Sequence, residues 1–388
     1  MDFMGYKRPD GKVGIRNYVG IIPSVFCANK VAEVIANQLD GCIALKHPVG
    51  CSQVGEDLEI TARTLKAMGN HPNLGAVLIV GLGCERFKPS EFYEAVKASG
   101  KLVDVVVIQD EGDSLKAIEK GVRIAKDFVV KLRTQPKVPC SIADITLGVK
   151  CGGTDATSGI AANPAVGALA DLVVAGGGNV ILSEVTELIG AEHILASRAI
   201  NTEVAEKIKS TILRMEQHLK KIGTDERFKH RGALISTGNF DGGVSSVAEK
   251  ALGGIYKAGT SKIINVIDYA TCPENGEKGL FIMDSPGHDG EVVTAMVGGG
   301  AQVIAFTSGR GTPTGFPFVP VIKVTGNEPT AIKMWENIDF DASDIFTKGT
   351  GLAEKGAQLK ELLLRVADGQ PVKAEILKHD ELFCITRK

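Results

Sequence analysis

Residues 150–164 read KCGGTDATSGIAANP, and the order of residue types in this stretch decides the fold class to expect. An apolar run, Ile145 to Val149, leads into a glycine-rich turn that carries Cys151 and Asp155, and an alanine-rich helical segment follows from Asn163. A strand, a polar loop and a helix start in that order place small reactive side chains and free backbone N–H groups at one rim of a sheet. Two earlier loops repeat the pattern, HPVGCSQVGEDLE (47–59) and VGLGCERF (80–87), each with one cysteine beside glycine after an apolar run.

Working outward, the chain alternates apolar runs with amphipathic segments. Ala28–Leu39 puts Val31, Ile35 and Leu39 on one helical face. Residues 73–81 (NLGAVLIVG) form a nearly continuous apolar run, as expected of a parallel strand covered on both sides. Helices are expected over 57–68, 90–98 and 113–131, and strands over 42–45 and 102–108. Arg133 to Pro139 then has two prolines and little apolar content, which places a domain boundary near 135–142 and gives domains 1–138 and 139–388. In the second region, strands are expected over 145–149, 179–182, 232–236, 262–266, 279–283, 302–306 and 319–324. Helices are expected over 201–221, 245–258, 290–297 and 351–366. This alternation argues for an open, mostly parallel α/β sheet with helices on both faces and ligands at the carboxyl ends of its strands.

Composition excludes several classes. The net charge is -2 and aromatics make up 5% of the chain, so neither a basic footprint for nucleic acid or anionic membrane nor a base-stacking platform is indicated. No uncharged apolar run approaches the roughly 18 residues that span a bilayer, and the opening MDFMGYKRPDGK has no secretory apolar core; the expected location is the cytoplasm. Eight cysteines without a CxxC pair read as reduced thiols rather than a disulfide scaffold. Glycine accounts for 46 of the 388 residues, above the usual share of about 7%, so many loops need positive φ or close backbone approach.

The loops after the expected strands carry the chemistry-bearing residues. Cys51, Cys84 and Cys151 are either soft metal ligands or redox-sensitive thiols, or else small residues tolerated in tight turns. Glu184 and Glu187, in SEVTE, are either a metal-binding or acid/base pair or first-turn residues of a helix capped by Ser183. His288, in DSPGHD, is a loop histidine suited to proton transfer or ligation, and His47 lies four residues before Cys51. The histidines at 71, 193, 218 and 379 read as structural, and His230 stays undecided. Arg310, in SGRGTPTG, has the planar guanidinium that suits a carboxylate or sulfonate. GLGCER matches only half of a dinucleotide fingerprint, and GxxxxGK[ST], GxSxG and HExxH are absent.

Taken together, GYKRPDGKVGIRN (5–17), HPVGCSQVGED (47–57), VGLGCE (80–85), KCGGTDATSGIAANPAVG (150–167), LSEVTELIGAEHIL (182–195), MDSPGHD (283–289) and VIKVTGN (321–327) make the chain resemble the large-subunit region of the altronate and galactarate dehydratase family, which includes the beta chain of (2R)-sulfolactate sulfo-lyase. The resemblance implies elimination from a 2,3-functionalised acid with a divalent metal, Fe2+ or Mn2+, an iron–sulfur cluster on the three thiolates being a variant. It implies a first domain used for homodimer contacts and a variant Rossmann-like second domain that binds the metal. It also implies a small β-clip domain, expected here as a separate subunit because the sequence starts directly at MDFMGYKRPDG. On loop position, His47, Glu187 and His288 are the candidates for proton transfer. Cys51, Cys84, Cys151 and Glu184 are the candidate metal ligands, and Arg16, Asn17, Asp155, Asn239, Arg310 and Lys323 the candidates for gripping the acid. The leading expectation is a large catalytic subunit that removes water from a sugar acid. The alternatives are the sulfite-releasing lyase and a noncatalytic scaffold subunit.

Overall fold

The run Leu74–Gly81 forms a strand in which all eight residues are buried, and it lies inside a parallel sheet, as its unbroken apolar character requires. The computed structural model describes residues 2–222, 235–274 and 276–387. The chain opens with an antiparallel pair, β1 (Phe3–Lys7) and β2 (Val13–Gly14). The first α/β sheet follows, with β3 (Tyr18–Pro23), β4 (Cys42–Ala44), β5 (Leu74–Gly81) and β6 (Leu102–Val107) in the order β4-β3-β5-β6, all parallel. Its crossover helices are Asn29–Asn37, Gly55–Gly69 and Pro89–Lys97, and the long helix Ser114–Arg133 closes the region. β7 (Val138–Cys140) then returns to pair antiparallel with β1. The boundary expected at 138/139 therefore falls inside a strand. Pro139 is accommodated there because β7 is an edge, where a missing N–H breaks no ladder.

The second sheet holds β8 (Thr146–Cys151), β9 (Asn179–Leu182), β10 (Ile263–Ile267), β11 (Gly279–Met283), β12 (Val303–Thr307), β13 (Val321–Thr325) and β14 (Phe340–Asp341). Its order is β10-β11-β9-β8-β12-β13-β14, and every pairing is parallel. The architecture is thus α/β, with a Rossmann-like second sheet flanked by helices. The strand expected over 232–236 lies outside the described residues up to position 234, and His230 lies outside them too.

Helix Asn163–Ala175 is apolar around most of its circumference because it is sandwiched between this sheet and helix Leu352–Asp368. At that contact a Cβ on Gly356 would lie 2.6 Å from the Cβ of Ala168, so glycine sets the close approach. The stretch Ser158–Ala175 is long and apolar enough for a bilayer span, contrary to the sequence expectation, yet more than half of it is buried inside the protein as a core helix.

Ile22, Leu65 and Phe92 of the first region share one core with Phe281, Met296 and Phe306 of the second. The C-terminal segment crosses between the two regions. Leu382 donates its N–H to Gly315 O (3.0 Å), the Phe383 ring meets the edge of His47, and Arg387 lies 3.6 Å from Asp57.

Candidate active site

β8 leads through helix Asn163–Ala175 to its neighbour β9, whereas β12 leads away to the other side, so the strand order reverses between β8 and β12. In open α/β sheets that reversal opens a crevice at the carboxyl ends of the strands. The segments that follow β8 and β12 stay hydrogen-bonded past the strand ends. Gly152 N–H donates to Thr307 O (2.8 Å) and Gly309 N–H to Gly153 O (2.9 Å). A Cβ on Gly309 would sit 2.3 Å from the Asp155 carboxyl carbon, so only glycine fits there.

A buried array of charges lies beside the crevice. The Lys150 ammonium, at the end of an otherwise apolar strand, donates to Glu184 Oε1 (2.5 Å) and Cys151 O (2.6 Å) and pairs with Asp289 (2.7 Å). Glu184 Oε2 pairs with Lys257 (2.8 Å) and accepts the Cys151 N–H (3.1 Å). Glu187 Oε1 pairs with Lys250 at 2.8 Å, while its Oε2 is buried without a hydrogen-bond partner. Glu184 and Lys257 are completely buried. Burial alone would raise the Glu184 carboxyl, but Lys150 and Lys257 hold it down at about 2. Burial would likewise depress both lysines, and the surrounding carboxylates, Glu184 foremost, push them up instead. Glu187 moves the other way. Burial, and then the neighbouring Glu184 charge, lift it above the usual carboxylate range against the pull of Lys250. A carboxyl raised in this way is the kind that accepts a proton from a weak carbon acid.

The array opens on a cleft of about 360 Å3 lined by Gly153, Glu187, Asn239, Lys250, His288 and Asp289 among others. His288 precedes helix Asp289–Gly298 with 69% of its side chain exposed. Asn239 is fixed in the wall, its Oδ1 accepting Thr154 N–H (2.9 Å) and its Nδ2 donating to Ser236 Oγ (2.8 Å). A larger hollow of about 480 Å3 lies at the first sheet, where Lys88, Asp104 and Asp110 face solvent without a buried charge array.

Of the expected residues, the structure gathers Glu184, Glu187, Asn239 and His288 at the array and its cleft, joins Cys151 to the array through its main-chain N–H, sets Asp155 and Arg310 beside the glycines of the crevice, and places the rest elsewhere. Asp155 caps the next helical turn, with Oδ1 accepting from Thr157 and Ser158 N–H (both 3.0 Å) and Oδ2 from Asn327 Nδ2 (2.6 Å), so its oxygens are already occupied. Arg16 is a structural tie, its guanidinium gripping Glu375 through two 2.7 Å contacts. Asn17 bridges Arg8 and Leu132 O. His47 is buried with Nε2 2.8 Å from Pro23 O, and burial lowers its affinity for a proton. Arg310 is half exposed, 3.6 Å from Asp241. Lys323 is buried on β13 with no hydrogen-bond partner for Nζ, and burial lowers it to about 8.

The expected metal ligands do not converge. Cys51 and Cys84 are exposed on loops of the first sheet. Cys151 is buried in the second, 3.4 Å from Thr154 Oγ1 and 3.7 Å from Asn163 Nδ2. Both Glu184 oxygens are taken by ammonium groups. Among the described residues no group of three or more His, Cys, Asp and Glu side chains is placed to hold a metal ion. The donor set therefore does not fit a resident divalent ion or an iron–sulfur cluster on these residues.

Sequence reading missed Lys150, Lys250, Lys257 and Asp289. One signal was available for Lys150, a lysine closing a strand that is apolar on both faces.

Comparison with known proteins follows these two regions. Residues 142–388 match the family model of the D-galactarate/altronate dehydratase C-terminal domain, and residues 5–133 match that of the D-galactarate dehydratase/altronate hydrolase second domain. The chain is 36% identical over 386 residues to (2R)-sulfolactate sulfo-lyase subunit beta of Chromohalobacter salexigens, covering 99% of this chain and 97% of that protein. It is 33% identical to altronate dehydratase of Escherichia coli, covering 94% of this chain and 74% of that enzyme. With galactarate dehydratase (L-threo-forming) of the same organism the identity is 34%, covering 95% and 73%.

Proposed function

The chain belongs to the D-galactarate/altronate dehydratase family and is a lyase, and we propose that it removes water from a sugar acid such as altronate or galactarate, with Glu187 as the base. The observation that carries this reading is Glu187 itself. It is a raised carboxyl at the head of the cleft, with one oxygen paired to Lys250 and the other unbonded.

In this mechanism Glu187 Oε2 takes the proton from the carbon next to the substrate carboxylate. The C–H electron pair becomes the C=C bond of an enediolate-like dianion, and the Lys250 ammonium, already in a water-poor wall, offsets the added charge. The C–O bond at the next carbon then breaks. His288 gives the departing hydroxide its proton, water leaves, and the enol relaxes to the 2-keto acid. None of these steps is routed through a metal.

A second reading keeps the fold and changes the leaving group to sulfite. Its support is the near end-to-end match in both directions with the sulfo-lyase subunit beta. Sulfite needs little protonation to leave, so His288 would matter less in that case. The altronate dehydratase extends beyond the match by about a quarter of its length, and the sulfo-lyase relative is called a subunit. Both facts support an assembly in which this chain works with a separate small subunit.

The test is turnover of altronate, galactarate and sulfolactate by the chain expressed with a small partner, read as 2-keto acid and as sulfite. Glu187→Gln is expected to lower kcat by about a thousandfold, within the usual range for loss of a general base, measured on variant protein shown to be folded. Full activity of that variant would overturn the assignment.

A further inference from the structure

We infer that Glu184 and Lys257, which line no part of the cleft, are positioning residues whose buried charges set how tightly Glu187 holds its proton. The inference rests on the reading of Glu187 as the base and adds two residues that touch no substrate.

The geometry carries it. Glu187 ends a short turn, Val185–Glu187, that starts directly after Glu184, so the two carboxylates share one segment. The charges that act on Glu187 come from separate elements, while helix Thr202–Ile222, which also packs on the turn, supplies none of them. Lys250 reaches it from helix Val247–Gly254, Lys150 from β8 and Lys257 from the turn Ile255–Ala258, while His288 and Asp289 stand across the cleft. Of these, Lys250 touches Glu187 directly. Lys150 is shared between Glu184 and Asp289. Lys257 has Glu184 as its one ion-pair partner among the described residues, and both are sealed from solvent.

Glu184 also holds φ at 69°, a left-handed conformation that a side-chain-bearing residue rarely adopts. Such strain persists where surrounding groups over-determine a position. Here the two ammonium groups and the Cys151 N–H hold the carboxylate, and Ser285 Oγ accepts the Glu184 N–H at 3.4 Å. Charges in so dry a setting act over longer range than in water. The Glu184 carboxylate raises the proton affinity of Glu187, and the Lys257 ammonium lowers it. Glu184 and Lys257 are thus opposed controls on one group.

The opposition gives a test that needs no substrate. The protonation of Glu187 is followed by infrared titration of the full chain, its carboxyl band assigned by loss in Glu187→Gln. Glu184→Gln is expected to lower the midpoint by about one pH unit, a tenfold change in proton affinity, because a like charge disappears, Lys257 loses its counter-ion and Lys150 keeps only Asp289. Lys257→Met is expected to raise it by a similar amount. The double variant Glu184→Gln/Lys257→Met is expected to return toward the wild-type midpoint, and Glu184→Asp to stay near it. If Lys257→Met does not fold, Lys257→Gln keeps a polar group beside Glu184 and must shift the midpoint the same way. Single variants that shift in the same direction or not at all, or a double variant in which the shifts do not cancel, would overturn the proposal. An active Glu187→Gln enzyme would remove Glu187 as the base and leave this titration result standing, so the two ideas fail separately.

Discussion

The molecule has two parallel sheets whose strand order reverses, and the carboxyl ends of both carry buried carboxylates and at least one glycine-flanked cysteine. In the first sheet the buried carboxylate is Glu85. It accepts from Ser24 Oγ (2.6 Å), Leu82 N–H (3.1 Å) and Gly83 N–H (2.6 Å), and it forms no ion pair among the described residues. In the second, Glu184 and Glu187 face three lysines, and one Glu187 oxygen is left unbonded. A carboxylate held by two main-chain N–H groups and a serine hydroxyl is holding a loop in place. One balanced against ammonium groups beside a cleft has a proton affinity that its neighbours set. With Glu187 as the proposed base, the same local architecture serves structure at one end and chemistry at the other, and the difference between them is where the lysines fall.

The largest effect that would sharpen this contrast is on folding. Lys150→Met leaves Glu184 short of one counter-ion and Asp289 unpaired, and removing one partner of a buried ion pair costs about 3–5 kcal/mol. Urea unfolding measures that loss directly. A loss below about 1 kcal/mol, the usual worth of exposed pairs, would show that the array is wetter than its burial indicates and weaken the contrast with Glu85.

A smaller effect concerns pH. Glu184 is held at about 2 in the folded chain against an ordinary 4.5, so its share of stability is complete above about 4.5 and drains away as pH falls toward 2. The melting temperature of the wild type should therefore fall more steeply across that window than that of Glu184→Gln. Parallel acid profiles would mean that the Lys150 and Lys257 pairs do not depress Glu184.

Much of the fold was legible because long apolar strands and amphipathic helices declare themselves locally. Leu74–Gly81 and Asn179–Leu182 are buried throughout, and their sequences contain little else than apolar residues. The short strands β1, β2, β7 and β14 were not legible, because their pairing partners are remote or brief. Pro139 read as a breaker and turned out to lie in a strand paired with residues near the start of the chain. In the site, Glu187 and His288 could be found as polar residues following strands, and Asn239 as a polar residue in a loop after an expected strand. Lys250 and Lys257 could not, since lysines in an amphipathic segment normally point to solvent. They are buried here because two carboxylates from a distant turn meet them, and that pairing is written in tertiary contact rather than in spacing. The three cysteine loops were misleading for the same reason. Their local patterns match, yet two belong to the first sheet and one to the second.

The smallest expected effect falls on those first-sheet cysteines. Cys51 and Cys84 are exposed, and the nearest link between their loops is the Arg86 side chain donating to the Cys51 carbonyl at 3.1 Å, a contact that does not use the thiol. Cys51→Ala and Cys84→Ala should each change stability by less than about 0.5 kcal/mol, as for surface positions generally, and leave kcat unchanged. Thermal melting and turnover of the purified variants check this, with metal content measured on the same samples. An Ala variant that folds normally but loses both activity and bound iron would place chemistry at the first rim. Glu85, Cys51 and Cys84 would then have to be read as part of a working site, and the division of labour between the two sheets would no longer hold.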